Sequence, residues 1–171
     1  MDNSILFEET QRFKQWWLWL ILIFIPGTNL VIAVKQIGFG QLVGNNPMSN
    51  TGVLIGFVVS LLLILLFIFI KLETKITNEG ISVRFFPFHL NYKFYKWEDI
   101  KYSYVRKYSP LLEYGGWGIR HSFTRGKAYN ISGNMGIQIE FNNDKKILIG
   151  TNQPEKVKMV LNSIDKYKEV L

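Results

Sequence analysis

The stretch VLIGFVVSLLLILLFIFI, Val53–Ile70, carries no charged residue, and Gly56 and Ser60 are its only small or polar interruptions. At about 1.5 Å per residue, a helix of this length reaches roughly 27 Å. That is close to the ~30 Å hydrocarbon thickness of a bilayer. In lipid the backbone must satisfy its own hydrogen bonds, which a helix does. The run therefore predicts a membrane-spanning helix over residues 53–71. A buried core helix is the alternative, but a small soluble protein rarely needs a helix that is apolar on every face.

Upstream, WWLWLILIFI (Trp16–Ile25) is followed by Pro26-Gly27-Thr28-Asn29 and then by Leu30–Val34. The whole predicts a second span over about 15–35, kinked where Pro26 removes a backbone donor. A re-entrant or interfacial segment is the alternative, because ten residues alone are too short to cross. Trp16, Trp17 and Trp19 suit the headgroup boundary. Arg12 and Lys14 before an apolar run resemble a signal peptide, yet no A-x-A-like cleavage site follows, so an uncleaved helical hairpin is expected. Cations flank it on both sides (Arg12, Lys14; Lys71, Lys75), whereas the Gly- and Asn-rich connection over residues 36–52 has none. The positive-inside rule then places both termini in the cytoplasm, in a multi-pass protein of the inner, cytoplasmic membrane.

Residues 1–71 are thus read as the anchor and residues 72–171 as one soluble domain, a common domain size. The chain has no cysteine and a formal charge of +7. Asp2, Glu8 and Glu9 balance Arg12, Lys14 and Lys35 before residue 71, so the excess lies on the domain. A cationic domain tethered to an anionic leaflet is electrostatically sensible. Nucleic acid is not expected as a partner, since the basic residues are scattered and the chain is anchored.

After Leu72 the pattern becomes short alternating segments. Residues 74–77, 81–85, 92–97, 100–108, 128–131, 136–141 and 146–149 read as strands, punctuated by Asn78-Glu79-Gly80, Ser109-Pro110, Ser132-Gly133-Asn134 and Asn142-Asn143-Asp144. Ile137, Ile139 and Phe141 are expected on one core face. Thr151 or Asn152 with Pro154 begins a helix, on which Val157, Val160, Leu161, Ile164 and Tyr167 recur at helical spacing. The expected fold is a membrane α-hairpin plus a mainly-β domain: two transmembrane helices, then an antiparallel barrel of about seven strands with a C-terminal helix.

On TKITNEGISVRF, YKWEDI and IQIEFNNDKKILIGTNQPEKV, the chain resembles the bacterial membrane proteins in which transmembrane helices precede a pleckstrin-homology-like (PH-like) domain. Glu113–Ser122 (EYGGWGIRHS) and Gly126–Glu140 (GKAYNISGNMGIQIE) are similar to a smaller group within them that has two helices. The resemblance implies the architecture and carries no catalytic chemistry.

The most distinctive soluble segment is Tyr114-Gly115-Gly116-Trp117-Gly118-Ile119-Arg120. Its glycines permit positive φ or close approach. As a binding loop it would offer backbone N–H groups to an anion beside Arg120, Arg125 and Lys127; as a bend it would pack Trp117 inward. Tyr114, Gly115, Gly116, Trp117, Arg120, Arg125 and Lys127 are the candidate ligand- or partner-binding residues. Arg84, Lys93, Lys96, Lys101, Arg106 and Lys107 alternate with aromatics and, on one face, would suit lipid headgroups. His89 and His121 lack the spacing of a metal pair, and Glu98-Asp99 point to opposite faces of a strand. No catalytic constellation, metal site or cofactor motif is read. The expected function is a non-enzymatic scaffold or binding module at the cytoplasmic face. Its partners would be the lipid bilayer and another membrane protein or anionic lipid headgroups. The alternative is an accessory subunit of a membrane enzyme or transporter.

Overall fold

A computed structural model describes residues 4–168. The chain forms two units, Lys14–Phe69 and a second that joins Met1–Phe13 to Ile70–Leu171.

In the helical unit, α1 (Trp16–Ala33) runs on through a π-helical stretch, Val34–Gly38, and α2 spans Asn50–Phe69. Both are long and apolar enough to cross a membrane. The residues buried between them are few: Leu22 and Pro26 on α1, Val53 and Ser60 on α2. Asn29 Nδ2 donates to the Gly56 carbonyl at 3.4 Å. Gln36 Nε2 donates to the Met48 carbonyl at 2.6 Å and to Asn50 Oδ1 at 3.0 Å, tying down the connection. Gly52, Gly56 and Ser60 recur every four residues, as close helix packing requires. The remaining faces are apolar and exposed, Phe24 at 71% and Leu62 at 57%.

The second unit contains nine strands among the described residues: eight after residue 70, where about seven were expected, and one before the helices. β1 (Ile5–Arg12), β2 (Lys71–Thr77), β3 (Gly80–Phe86) and β4 (Lys93–Lys96) form one antiparallel sheet in that order. β5 (Ile100–Lys107), β6 (Gly118–Ser122), β7 (Gly126–Asn130), β8 (Met135–Phe141) and β9 (Lys146–Gly150) form a second, in the order β5-β8-β9-β7-β6. The expected all-antiparallel pattern fails at β7 and β9, which pair in parallel. The β6–β7 hairpin is an insertion between β5 and β8, and it adds to the far edge of their sheet. The expected boundary at residue 71 also fails. Ile5–Arg12, assigned to the anchor, is a strand paired with β2 from Arg12↔Lys71 to Ile5↔Thr77.

The inner faces share one core. Leu72, Ile76, Ile81, Val83 and Phe85 from the first sheet are fully or almost fully buried, as are Ile137, Ile139 and Ile149 from the second. The helix α4 (Pro154–Ser163) packs across β1, β5 and β8 with Val157 and Leu161 inward. It stops earlier than its apolar spacing suggested. Asp165 takes positive φ, and the Lys166 carbonyl then accepts the Ser103 hydroxyl, so the chain runs along β5.

The outer face of the second sheet is covered as well. α3 (Pro110–Tyr114) lies there, where Tyr108, Tyr114, Ala128 and Leu148 make a second small core. Gln138 faces this layer and is buried, accepting from Arg106 Nε at 3.0 Å and donating to the Ile147 carbonyl at 3.4 Å. Two substitutions on β8 therefore separate the layers. Ile139→Asp should abolish cooperative unfolding in detergent, since an unpaired buried carboxylate costs several kcal/mol. Gln138→Ala should retain it at a cost of about 1–3 kcal/mol, because Arg106 and the Ile147 carbonyl lose a partner.

Candidate functional site

Two regions compete as the site: the glycine-rich segment and a cleft that the sequence did not reveal.

Ser109 and Pro110 begin α3 instead of merely breaking a strand. The Ser109 side chain accepts from Leu112 N at 3.4 Å, and Glu113 Oε1 accepts from Ser109 N at 2.9 Å. The short helix closes at Gly115 (φ 69°), whose N–H donates to the Leu111 carbonyl, while that of Gly116 (φ 125°) donates to the Pro110 carbonyl. These amides are thus spent on α3 and do not form an open anion nest. Tyr114 is buried, with its hydroxyl 3.5 Å from the Arg125 carbonyl. Trp117 is half-buried, and its indole donates to the Gly133 carbonyl at 3.4 Å. Arg120 is exposed and donates to the Trp117 carbonyl at 2.9 Å.

Glu113 organises this region. Its carboxylate meets Arg106 at 2.8 Å and Arg125 at 3.3 Å. Burial works to raise its pKa, but the Arg106 hydrogen bond, the Ser109 N–H and both guanidinium charges outweigh it, leaving the group below its ordinary 4.5. Arg125 is therefore partnered, and Lys127 projects from β7 away from this network. The structure does not gather the candidate residues into one anion site. Nor do the alternating cations share a face: Arg84 pairs with Glu73 at 2.6 Å and Arg106 with Glu113, whereas Lys93 points inward.

The cleft is about 920 Å³ and lies between β4 and β7, bounded by the β6–β7 and β8–β9 turns. Register explains its lining. Lys93 opposes Val83 and Tyr95 opposes Ile81, so both share the inner face of the first sheet. Lys127 opposes Ile147 and Tyr129 opposes Ile149, so both share the inner face of the second. Lys93 Nζ sits 3.3 Å from the Tyr129 hydroxyl. Tyr95 packs on Phe141 at 5.3 Å, and its hydroxyl is held protonated by burial and by Tyr129. His89 stacks edge-on against Tyr129 at 5.3 Å, with Nδ1 accepting from Phe85 N. Burial, then Lys93 and Lys127, hold His89 below its ordinary pKa of 6.5. The sequence offered Lys93 as one of six cations suited to lipid headgroups on a shared face, and the strand register turns it to the inner face instead.

Neither the models of known protein families nor the sequences of curated proteins match this chain.

Gly116→Val should lower the melting temperature clearly, because φ 125° strains a β-branched residue. Arg120→Ala, at an exposed side chain, should change it little. Glu113 has a second signature. A depressed carboxylate stabilises the fold above its unfolded pKa and loses that contribution as pH falls through the folded value. The melting gap between wild type and Glu113→Gln should therefore be widest at neutral pH and narrow as pH drops below about 4.5; a gap constant across a pH series of thermal melts would refute the pairing.

Proposed function

We propose that this protein is a membrane-anchored binding module. A two-helix anchor carries a PH-like β unit at the cytoplasmic face, and that unit binds an anionic headgroup or a partner protein without chemistry of its own. The observation that carries the reading is how the helices are threaded. β1 leads into α1, α2 leads into β2, and β1 and β2 pair from Arg12↔Lys71 onward. Adjacent strands lie about 4.8 Å apart. A hairpin that leaves and returns at one such point must cross a bilayer with both helices or with neither. Two helices apolar on nearly every exposed face favour crossing, since lipid satisfies side chains that water does not.

The β unit supports the PH-like reading through its two sheets and the C-terminal α4 that packs on both. The β6–β7 hairpin, α3 and the parallel β7–β9 pair are additions to that plan. The cytoplasmic orientation rests on Arg12, Lys14, Lys71 and Lys75 at one end of the hairpin and on a connection free of Lys and Arg. The excess positive charge after residue 70 suits an anionic inner leaflet, at about 1 kcal/mol per cation near the surface.

The protein should resist carbonate extraction from membranes. A reporter fused to the C-terminus should be cytoplasmic, and a tag placed within residues 44–51 should be labelled from outside. The reverse labelling would overturn the orientation, and release by carbonate would overturn the anchor.

A further inference from the structure

We propose that the cleft between β4 and β7 binds a phosphate group, held between the ammonium groups of Lys93 and Lys127 with the Tyr95 and Tyr129 hydroxyls as neutral donors. This deepens the reading of the β unit as a binding module and rests on it.

The argument begins with where the lysines are. Lysine is a residue of outer faces, yet Lys93 and Lys127 occupy inner-face positions on opposed sheets, in register with Val83 and Ile147. Lys93 lies on β4, which ends the first sheet, and Lys127 on β7, one strand in from the β6 edge of the second. Neither lysine forms an ion pair among the described residues. Asp99 and Asp144 also line the cleft without reaching them. Lys93 is half-buried and Lys127 exposed. Two ammonium groups facing one cleft repel each other, and an anion between them removes that cost. A phosphate monoester carries about −1.5 to −2 charges near neutral pH, which matches the pair, and offers three acceptor oxygens for the lysines and hydroxyls. Lysine serves such a group as a point charge.

His89 reports on the site without touching the ion. Its pKa is lowered by burial and by the charges of Lys93 and Lys127. A dianion between those lysines cancels their field at the imidazole. Phosphate binding should therefore move the His89 titration upward, while the empty cleft keeps it down. The cleft volume, about 920 Å³, falls within the range of small-ligand sites, roughly 300–1,000 Å³, so the phosphate can bear a substituent. The aromatic rings of Tyr95, Tyr129 and Phe141 supply an apolar wall for it.

The experiment uses the full-length protein with histidine titration followed by NMR, His89 being distinguished from His121 through His121→Gln. In detergent, inorganic phosphate is added against sodium chloride and sodium acetate at matched ionic strength. In nanodiscs, phosphatidylcholine alone is compared with phosphatidylcholine containing phosphatidic acid, whose headgroup is a phosphate monoester. An upward shift of His89 with inorganic phosphate places the source in solution, and one seen only with phosphatidic acid places it in the membrane; both support the site. Lys93→Met and Lys127→Met should each weaken the response about tenfold, as loss of one charge-assisted contact predicts. The double variant should titrate His89 higher from the outset and ignore phosphate, and it should melt no lower than wild type. An equal response to acetate, or no response of the wild-type protein to either phosphate source, overturns the proposal. Either result is read on the wild-type site and leaves the anchor, tested by extraction and labelling, standing by itself.

Discussion

The β1–β2 ladder is the constraint on which the rest of the structure depends. Its seven paired positions, from Arg12↔Lys71 to Ile5↔Thr77, join segments separated by the entire helical hairpin. Closing a loop that long costs entropy only logarithmically in its length, and a helical hairpin shortens the effective loop further by holding its own ends together. β1 is then secured from its other side. Gln11 Nε2 donates to the Gly150 carbonyl at 2.7 Å, and the Glu9 carboxylate accepts from the Thr151 hydroxyl at 2.6 Å and the Asn152 N–H at 2.8 Å. These bonds stitch the β1 border of the first sheet to the end of β9. At the β4 border the sheets meet through Lys93 and the Tyr129 hydroxyl, 3.3 Å apart, and through Tyr95 on Phe141, beside the cleft. One side of the β unit is thus closed by buried polar side chains, and the side that holds the cleft remains open.

The glycine-rich segment owes its character to the second layer over β8 and β9. α3 must turn back sharply to reach β6, and Gly115, Gly116 and Gly118 all take positive φ to allow it. Tyr114 and Glu113 then hold α3 down, the first through the Tyr108–Leu148 cluster and the second through Arg106 and Arg125. The motif stands out in the sequence because a tight turn and a buried tyrosine limit which residues fit. A ligand is not needed to account for it.

What was legible followed from simple periodicity. The two apolar runs, the β8–β9 hairpin with its turn at residues 142–145, and the inward Val157 and Leu161 of α4 all appear at their expected places. β1 was not legible, because its inward positions include Glu9 and Gln11, whose burial depends on partners more than 130 residues away. α3 was hidden by reading Ser109-Pro110 as a breaker, although a capping Ser followed by Pro at the first helical position and a nearby Glu is a helix start. Lys127 was legible as a cation beside the glycine-rich loop, and Lys93 as one of six that would suit headgroups on a shared face. Nothing in their neighbourhood says inward until the partners Val83 and Ile147 are known.

The ion pairs of the β unit sort by face, and that sorting bears on function. Lys71 and Arg84 with Glu73, Lys75 with Glu8, Arg106 and Arg125 with Glu113, and Lys146 with Glu140 all involve side chains that point away from the main core. Pairs of this kind contribute little individually, about 0–1 kcal/mol where they are exposed. They keep the outer faces soluble and fix α3 in place. On the inner faces, among the described residues, Lys93 meets the Tyr129 hydroxyl and ring, and neither it nor Lys127 has a carboxylate partner. Lys93, half-buried, and Lys127, exposed, thus leave two unbalanced positive charges on the lining of one cleft. Relief of that imbalance by a bound anion would give the open side of the β unit a physical role distinct from that of the closed side.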